Sequence, residues 1–283
     1  MFSPYIALMK LRVVELLLVT TLPALFLAAG GTPPLGISIA TLIGGTLAAG
    51  AANAFNMIIE SDIDQVMGRT SKRPIVKDQI SETQALVFAF GITVVSLLIF
   101  WFFTNELATG LTVAAIAIYV FGYTVGLKRR TPQNIVWGGA AGCMPVLIGW
   151  SAVMGSLSMT SIWFFLVIFF WTPPHFWALA IKYRDDYAAA GIPMLPVVAP
   201  INKVTQQMWF HTILMFVTSF LTVISAGLPQ WCLAATGALA LYFALMMRGL
   251  SGAAQDKVAM RIFHGSITYL TLYSALLVAG VML

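Results

Sequence analysis

Charged residues are scarce in this chain: Asp, Glu, Lys and Arg together make up 9% of its 283 residues. Soluble globular proteins carry about 25%, so this sequence cannot cover a water-facing surface of its size. The chain is also 60% hydrophobic. This composition excludes a single water-soluble domain and indicates that lipid is the solvent for most of the surface.

Cysteine and targeting signals are also sparse. Cys143 and Cys232 lie in separate apolar stretches, so no disulfide framework is indicated. The N-terminal segment has neither a small-residue cleavage site after its apolar run nor the Arg- and Ser-rich composition of a transit peptide. We therefore expect a short tail that leads into a first spanning helix, in a bacterial protein.

Nine apolar segments are long enough to cross a bilayer, which takes about 20 residues of helix. We predict an all-α polytopic membrane protein with nine transmembrane helices around a central cavity, and one domain over residues 1–283. The predicted spans are 13–30, 35–58, 83–103, 107–127, 133–154, 161–182, 205–227, 229–248 and 263–282.

All 15 Lys and Arg residues fall on one side of this nine-span arrangement. Basic residues concentrate in cytoplasmic loops, so the N-terminus is predicted in the cytoplasm and the C-terminus outside, in the bacterial cytoplasmic membrane. An even number of spans would not give this distribution. Basic loops beside a membrane also explain the net charge of +5, and no nucleic-acid partner is predicted.

The two halves of the chain show a weak repeat with an offset of 122 residues. Residues 53–76 align without a gap with residues 175–198, which places Asp64 on Asp186. Both stretches begin in a span that runs towards the basic side. The alignment predicts a parallel repeat of helices 1–4 and 5–8; chance is the alternative, because few residues are identical.

A row of oxygen-bearing side chains ends the second span. Asn56, Glu60 and Asp64 are spaced four residues apart and lie close to one helix face, with Asn53 one turn earlier. Such a row at a membrane boundary is costly without a partner, and Mg²⁺ prefers oxygen ligands together with substrate phosphate oxygens. The alternative is a solvated helix end with capping acids.

Basic residues surround this row. Arg69, Lys72 and Arg73 follow it, and Tyr123 and Lys128 lie at the same end of the fourth span. A diphosphate cannot sit directly on carboxylates, so bound Mg²⁺ would bridge the two. The cations would hold the outer phosphate oxygens, although they also serve as topology determinants.

The sixth span ends in a second charged cluster that contains Lys182, Asp185 and Asp186. An ordinary ion pair between residues four apart also explains Lys182 and Asp186. Two prolines upstream predict an interruption of this helix, and His175 follows them directly. A histidine inside the membrane is a functional candidate; the alternative role is to satisfy a carbonyl that the prolines free.

The chain resembles the UbiA-type intramembrane prenyltransferases over most of its length. "NMIIESDID" followed by "RTSKRP" is similar to their first aspartate-rich motif, NDxxDxxxD, and "YTVGLKRRT" is similar to their tyrosine–lysine motif. "WTPPHFWALAIKYRDDYAAAGIPMLPVV" resembles more specifically the branch that farnesylates protohaem. Three positions depart from the motifs: Met57 and Glu60 replace two aspartates of the first, and Lys182 replaces one of the second.

The resemblance implies transfer of the farnesyl group of farnesyl diphosphate to a vinyl group of protohaem IX (haem b), with Mg²⁺ as cofactor. A haem A synthase or a terminal oxidase assembly factor would be its protein partner. The implied catalytic residues are Asn56, Glu60, Asp64, Lys182 and Asp186. The implied substrate-binding residues are Asn53, Arg69, Lys72, Arg73, Tyr123, Lys128, His175 and Asp185. The implied metal ligands are Glu60, Asp64, Asp185 and Asp186.

Two alternatives stay open. A family member that acts on an aromatic acid or a quinone precursor is disfavoured by the Pro-Pro-His segment and the missing aspartates. An ion-coupled transporter with broken helices is disfavoured because the acidic residues cluster at one membrane face, whereas transporter sites lie near the midplane.

Overall fold

The computed structural model describes residues 3–68, 70–252 and 254–283, and these ranges are helical with no strand. In chain order the helices are Ser3–Met9 (α1), Leu11–Ala29 (α2), Leu35–Ile59 (α3), Ser61–Val66 (α4), Glu82–Phe103 (α5), Glu106–Ala117 (α6), Asn134–Met154 (α7), Met159–Lys182 (α8), Arg184–Ala189 (α9), Leu195–Val198 (α10), Ile201–Ser225 (α11), Gln230–Met246 (α12) and Gln255–Met282 (α13). The α6 helix continues as a π-helix over Ile118–Leu127.

Eight helices in the described ranges are long and apolar enough to cross a membrane. They match eight of the nine predicted spans, so the all-α polytopic prediction is confirmed. The other predicted span, 229–248, contains α12, an apolar helix of 17 residues that lies at the short end of the spanning range. The count of nine spans and the internal repeat therefore stay predictions.

The bounds of the spans agree with the apolar segments to within a few residues, with one exception. The last helix begins at Gln255, well before the predicted start at 263. Its first turns carry Asp256, Lys257 and Arg261, which the apolar pattern assigned to a loop. A helix that extends out of the membrane needs no apolar side chains there, so hydropathy marks where lipid begins and not where the helix begins.

The predicted interruption of the sixth span is wrong. Helix α8 is continuous from Met159 to Lys182 and contains Pro173 and Pro174 in its interior. It packs against α7, α11 and α13, and it is among the most buried spans of the described chain. Neighbouring helices often hold a proline-containing span together in this way.

The spans differ in how much protein surrounds them. Helices α7 and α8 lie in the interior, whereas α5 and α6 leave most of their residues unburied on the outside of the bundle. Close approach of α3 and α5 depends on Gly44, where a Cβ would lie 2.8 Å from the Phe100 ring. Ser96 of α5 also donates a hydrogen bond to the Gly44 carbonyl at 2.7 Å. This packing fixes α3, which carries the acidic row.

Candidate active site

The acidic row lies at the end of α3 and crosses a break in the helix. Helix α3 ends at Ile59, Glu60 has non-helical dihedral angles, and α4 starts at Ser61. Asn56, Glu60 and Asp64 are all buried, with exposed fractions of 2%, 1% and 2%. The row therefore faces the protein interior and is not a solvated helix end.

Both buried carboxylates are paired with a cation. Lys128 Nζ donates to Glu60 Oε2 at 2.6 Å, and Arg73 forms an ion pair with Asp64. The second oxygen of Glu60, Oε1, is buried and has no hydrogen-bond partner among the described residues. A buried carboxylate oxygen without a donor is costly, which makes this atom a candidate ligand for a further cation.

The third acid of this segment, Asp62, points outward. Arg129 donates two hydrogen bonds to its carboxylate, at 2.9 and 2.7 Å, and both side chains are exposed. The hydrogen bond from Arg129 lowers the pKa of Asp62 below its usual value. The environment of Lys128 differs, since burial lowers the pKa of its ammonium and the Glu60 carboxylate opposes this effect.

Three contacts join the end of α3 to the π-helical stretch. They are Tyr119 Oη to Asn53 Oδ1 at 3.4 Å, Asn56 Nδ2 to Thr124 Oγ1 at 3.2 Å, and Lys128 Nζ to Glu60 Oε2 at 2.6 Å. The Lys128 amide donates to the carbonyl of Tyr123, five residues back, at 2.9 Å. A π-helix with i→i+5 hydrogen bonds has more residues per turn than an α-helix, so Tyr119 and Lys128, nine residues apart, both lie on the side that faces the end of α3. Both side chains therefore reach the same neighbour.

Tyr123 lies between the charged residues and the membrane interior. Its ring centroid is 5.8 Å from Lys128 Nζ and 5.7 Å from the ring centroid of Tyr119. The ring also lies so close to Gly138 of α7 that any Cβ at that position would overlap its Cδ2 atom. A glycine in α7 is thus required for the position of Tyr123.

Lys10 is a residue of this cluster that the sequence pattern did not single out. It joins α1 to α2 and adopts left-handed dihedral angles, φ 50 and ψ 54. Its Nζ donates to Asn56 Oδ1 at 2.8 Å, and Asn53 Nδ2 donates to the carbonyl of Met9 at 3.0 Å. Burial, and next the positive charge of Arg73, lower the pKa of Lys10 well below its usual value.

The structure brings part of the second charged cluster to the first. The Asp186 carboxylate lies beside Gly68, 3.9 Å from the position of a Cβ there, and Gly68 belongs to the loop that follows Asp64. Lys182 instead forms a 3.7 Å ion pair with Asp256 of α13, and both side chains are half exposed. The alternative ion pair of Lys182 with Asp186 is therefore wrong.

The structure does not bring the remaining predicted residues of the charged loops into the buried row of Asn56, Glu60 and Asp64. Lys72 and Asp185 are exposed, and Arg69 lies outside the described residues. Within the described ranges no three His, Cys, Asp or Glu side chains converge to form a metal cluster. The four predicted ligands are thus not assembled in one place: Glu60 and Asp64 lie together, whereas Asp185 faces solvent.

His175 lies in an aromatic sandwich inside the bundle. Its ring stacks on Trp171 at 4.2 Å and on Phe263 at 4.5 Å between centroids, and its Nδ1 hydrogen-bonds Ser266 Oγ at 2.7 Å. The alternative role, a bond to a carbonyl freed by the prolines, is not what the described contacts show. The imidazole is instead held by α13.

An apolar cavity of about 250 Å³ opens between α2, α3, α6, α7 and α8. Asn53, Tyr119 and Tyr123 line its charged end, and Trp171 and Phe176 line the side near His175. The central cavity of the sequence prediction is thus present. Its walls suit a long hydrocarbon, and Tyr123 in its lining connects it to Lys128, whose Nζ lies 5.8 Å from the ring centroid. The cavity together with these adjacent cations fits an amphiphile with an anionic head.

The sequence profile of the UbiA prenyltransferase family matches residues 17–267. The protein named protoheme IX farnesyltransferase from Frankia alni is 54% identical over 271 residues, which cover 95% of this chain and 94% of that protein. The protein of the same name from Frankia casuarinae is 52% identical, with the same coverage of both chains.

Solved structures share the fold at low sequence identity. A digeranylgeranylglyceryl phosphate synthase superposes with a TM-score of 0.82 at 16% identity, over 99% of this chain and 98% of that chain. A UbiA homologue from Archaeoglobus fulgidus bound to DMAPP and Mg²⁺ superposes with a TM-score of 0.69 at 16% identity, over 97% and 99%. At these identities the likeness concerns the fold alone.

Proposed function

The chain belongs to the UbiA prenyltransferase family, and from that membership we propose that it transfers the farnesyl group of farnesyl diphosphate to a vinyl group of protohaem IX, giving haem O. The observation that carries the proposal is the identity of 52 and 54%, over 95% of the chain, to proteins named protoheme IX farnesyltransferase. Membership in a family of prenyltransferases argues against the transporter alternative. Identity to haem-acting relatives argues against an aromatic acid as the acceptor.

The charged end of the cavity would take the diphosphate, and the apolar part would take the farnesyl chain. Arg73 and Lys128 lie at this end, and Arg69 and Lys72 belong to the same loop in sequence. When the C1–O bond of farnesyl diphosphate breaks, the electron pair leaves with the diphosphate. Cations already in place stabilise that charge without reorganising.

Glu60 and Asp64 are the residues that would hold Mg²⁺. The unpartnered Oε1 of Glu60 suits a cation, and Mg²⁺ commonly uses one or two carboxylates plus phosphate oxygens, so no larger protein cluster is needed. Bound there, the ion would neutralise charge on the departing diphosphate. Asp186, beside Gly68, and Asp185 stay predicted as further ligands.

The acceptor chemistry takes place in the apolar part of the cavity. The C1 carbon of the farnesyl group bonds to the terminal carbon of the vinyl group, which leaves a cation on the inner vinyl carbon. Water adds there and loses a proton, so the product carries a hydroxyl group. Trp171 and Phe176 line this cavity, and their rings would stabilise a nearby cation by cation–π contact, while the apolar walls would keep bulk water out.

We assign His175 to the haem-binding part of the site, because it stacks on Trp171, which lines the apolar cavity. Lys182, half exposed at the end of α8, would meet a haem propionate. The single domain over residues 1–283, the cytoplasmic N-terminus, the external C-terminus, and a haem A synthase or oxidase assembly partner belong to the same proposal.

The test is turnover by the purified protein in detergent with farnesyl diphosphate, haem b and Mg²⁺. We expect a haem product whose mass equals that of haem b plus a farnesyl group and a hydroxyl group. A parallel reaction replaces haem b with 4-hydroxybenzoate. Prenylation of 4-hydroxybenzoate without a haem product would contradict the proposal and support the aromatic-acid alternative.

A further inference from the structure

Lys10 differs from Arg73, Lys128 and Arg129 at the charged end of the bundle, because no carboxylate among the described residues forms an ion pair with it. The three carboxylates of the 60–64 segment each have one cationic partner. The ammonium of Lys10 is held by a neutral atom, Asn56 Oδ1, at 2.8 Å. A half-buried cation without a direct ion-pair partner is available to bind an anion that the protein itself does not supply.

The backbone at Lys10 is arranged to direct this side chain towards α3. Its φ of 50 lies in the left-handed region. Residues other than glycine rarely adopt this backbone conformation, and it persists only where the surrounding structure enforces it. Two contacts enforce it here. Asn53 donates to the Met9 carbonyl at 3.0 Å, and Met9 packs onto Gly50, where a Cβ would lie 2.6 Å from Met9 Cε.

The position of Lys10 coincides with the charged residues already described. Its ammonium interacts electrostatically with Glu60, Asp64, Arg73 and Lys128. It also contacts the row on α3 between Asn53, which lines the cavity, and Glu60. An anionic group at the charged end of the cavity would therefore lie within reach of this ammonium.

We propose that Lys10 is a substrate-binding residue that donates to a phosphate oxygen of the prenyl diphosphate, and that Asn56 holds its ammonium in place beforehand. The inference rests on the proposed function insofar as that function supplies a prenyl diphosphate. The bound diphosphate provides the counter-charge that the protein lacks at this position. A lysine suits this role because its compact charge binds phosphate without a fixed geometry.

Arg12 offers a matched control for the test. It lies two residues away on the same side of the predicted membrane, and it is exposed. The experiment measures binding of inorganic diphosphate to purified wild type, Lys10→Gln, Lys10→Met, Lys10→Arg and Arg12→Gln by calorimetry at a fixed Mg²⁺ concentration. Farnesol serves as a second ligand, because it has the hydrocarbon chain without the charge.

We expect Lys10→Gln and Lys10→Met to bind inorganic diphosphate about 10- to 100-fold more weakly, the loss that follows removal of a charged hydrogen bond. Lys10→Arg should restore most of the affinity, Arg12→Gln should match wild type, and farnesol affinity should not change. These differences would separate a diphosphate contact from a purely structural role.

Three results would overturn the inference: wild-type affinity in the two neutral variants, an equal loss in Lys10→Gln and Arg12→Gln, or failure of both neutral variants to fold. The assay contains neither haem nor a farnesyl acceptor, so its outcome does not depend on the acceptor. Failure of the proposed function would appear separately, as a wild-type protein that binds diphosphate and forms no haem product.

Discussion

Removing the charge of Lys128 should destabilise the fold through Glu60. The Glu60 side chain is 1% exposed, Lys128 is the cation paired with its Oε2, and Oε1 already lacks a partner among the described residues. Lys128→Met therefore leaves a buried carboxylate without compensation. Breaking a buried ion pair from one side costs about 3 kcal/mol or more, which is a large part of the stability of a typical domain.

A second lysine variant provides the control. Lys182 pairs with Asp256 at 3.7 Å, and the two side chains are 48% and 54% exposed, so Lys182→Met should cost less than about 1 kcal/mol. The double variant Lys128→Met/Glu60→Gln should regain most of the loss, because a neutral carboxamide is far cheaper to bury than a carboxylate.

Unfolding in mixed micelles, followed by circular dichroism as the fraction of denaturing detergent rises, would measure these differences. The expected order of stability is Lys182→Met near wild type, then the double variant, then Lys128→Met. Equal losses for the two lysine variants would refute the reasoning. A double variant no more stable than Lys128→Met would also refute it, because the unpaired Glu60 carboxylate would then not be the cause of the lost stability.

Four further predictions concern the site and the topology. Asp64→Asn should abolish farnesyl transfer with the protein still folded, and chelation of Mg²⁺ should stop the wild-type reaction; turnover assays check both, and chelator-resistant activity would count against the metal. Gly138→Ala should displace Tyr123 and lower activity at least about 10-fold through overpacking, whereas Gly91→Ala on α5, which is exposed and meets nothing within 4 Å, should retain it. Ser81→Cys should label from the cytoplasm and Glu106→Cys from outside, since both positions are exposed and the native cysteines are buried; labelling from one side would contradict the topology. His175→Ala should weaken haem binding and shift the haem absorption spectrum with farnesyl diphosphate affinity retained, and the reverse pattern would show that the two substrates are placed the wrong way round.

The membrane spans were predictable because one property, the length of an uninterrupted apolar segment, determines them. A helix in lipid must satisfy its backbone internally and present about 20 apolar residues, and eight predicted spans accordingly match described helices. The helix ends outside the membrane were less predictable, since polar residues continue a helix as readily as they end it. The early start of α13 at Gln255 is the example.

The acidic row was predictable for a different reason. Residues spaced four apart share a helix face, so the sequence could place Asn56, Glu60 and Asp64 together, although the helix that this argument assumed is interrupted at Glu60. The structure buries the first three and exposes Asp62. The partners of these residues depend on tertiary packing, and no local pattern could pair Glu60 with Lys128, 68 residues away.

Lys10 is a residue for which the general rule on basic residues beside a span does not predict the proposed phosphate contact. A single lysine before a first span is most often a topology determinant, and its neighbours Met9 and Leu11 are apolar. The break between α1 and α2 at this residue has no proline or glycine to predict it. The side chains that hold the break, Asn53 and Asn56, come from α3.

The π-helical stretch explains why the period of an α-helix misleads in the fourth span. At 3.6 residues per turn, Tyr119 and Lys128 would lie two and a half turns apart and point to opposite sides. Either Asn53 would then lose Tyr119 or Glu60 would lose Lys128. The loss of Lys128 would cost more free energy, because it leaves a buried carboxylate unpaired. The contacts to α3 therefore favour the wider turn over the better local geometry of an α-helix. Gly126 fits the same explanation, because a Cβ there would lie 3.1 Å from the Phe121 carbonyl oxygen.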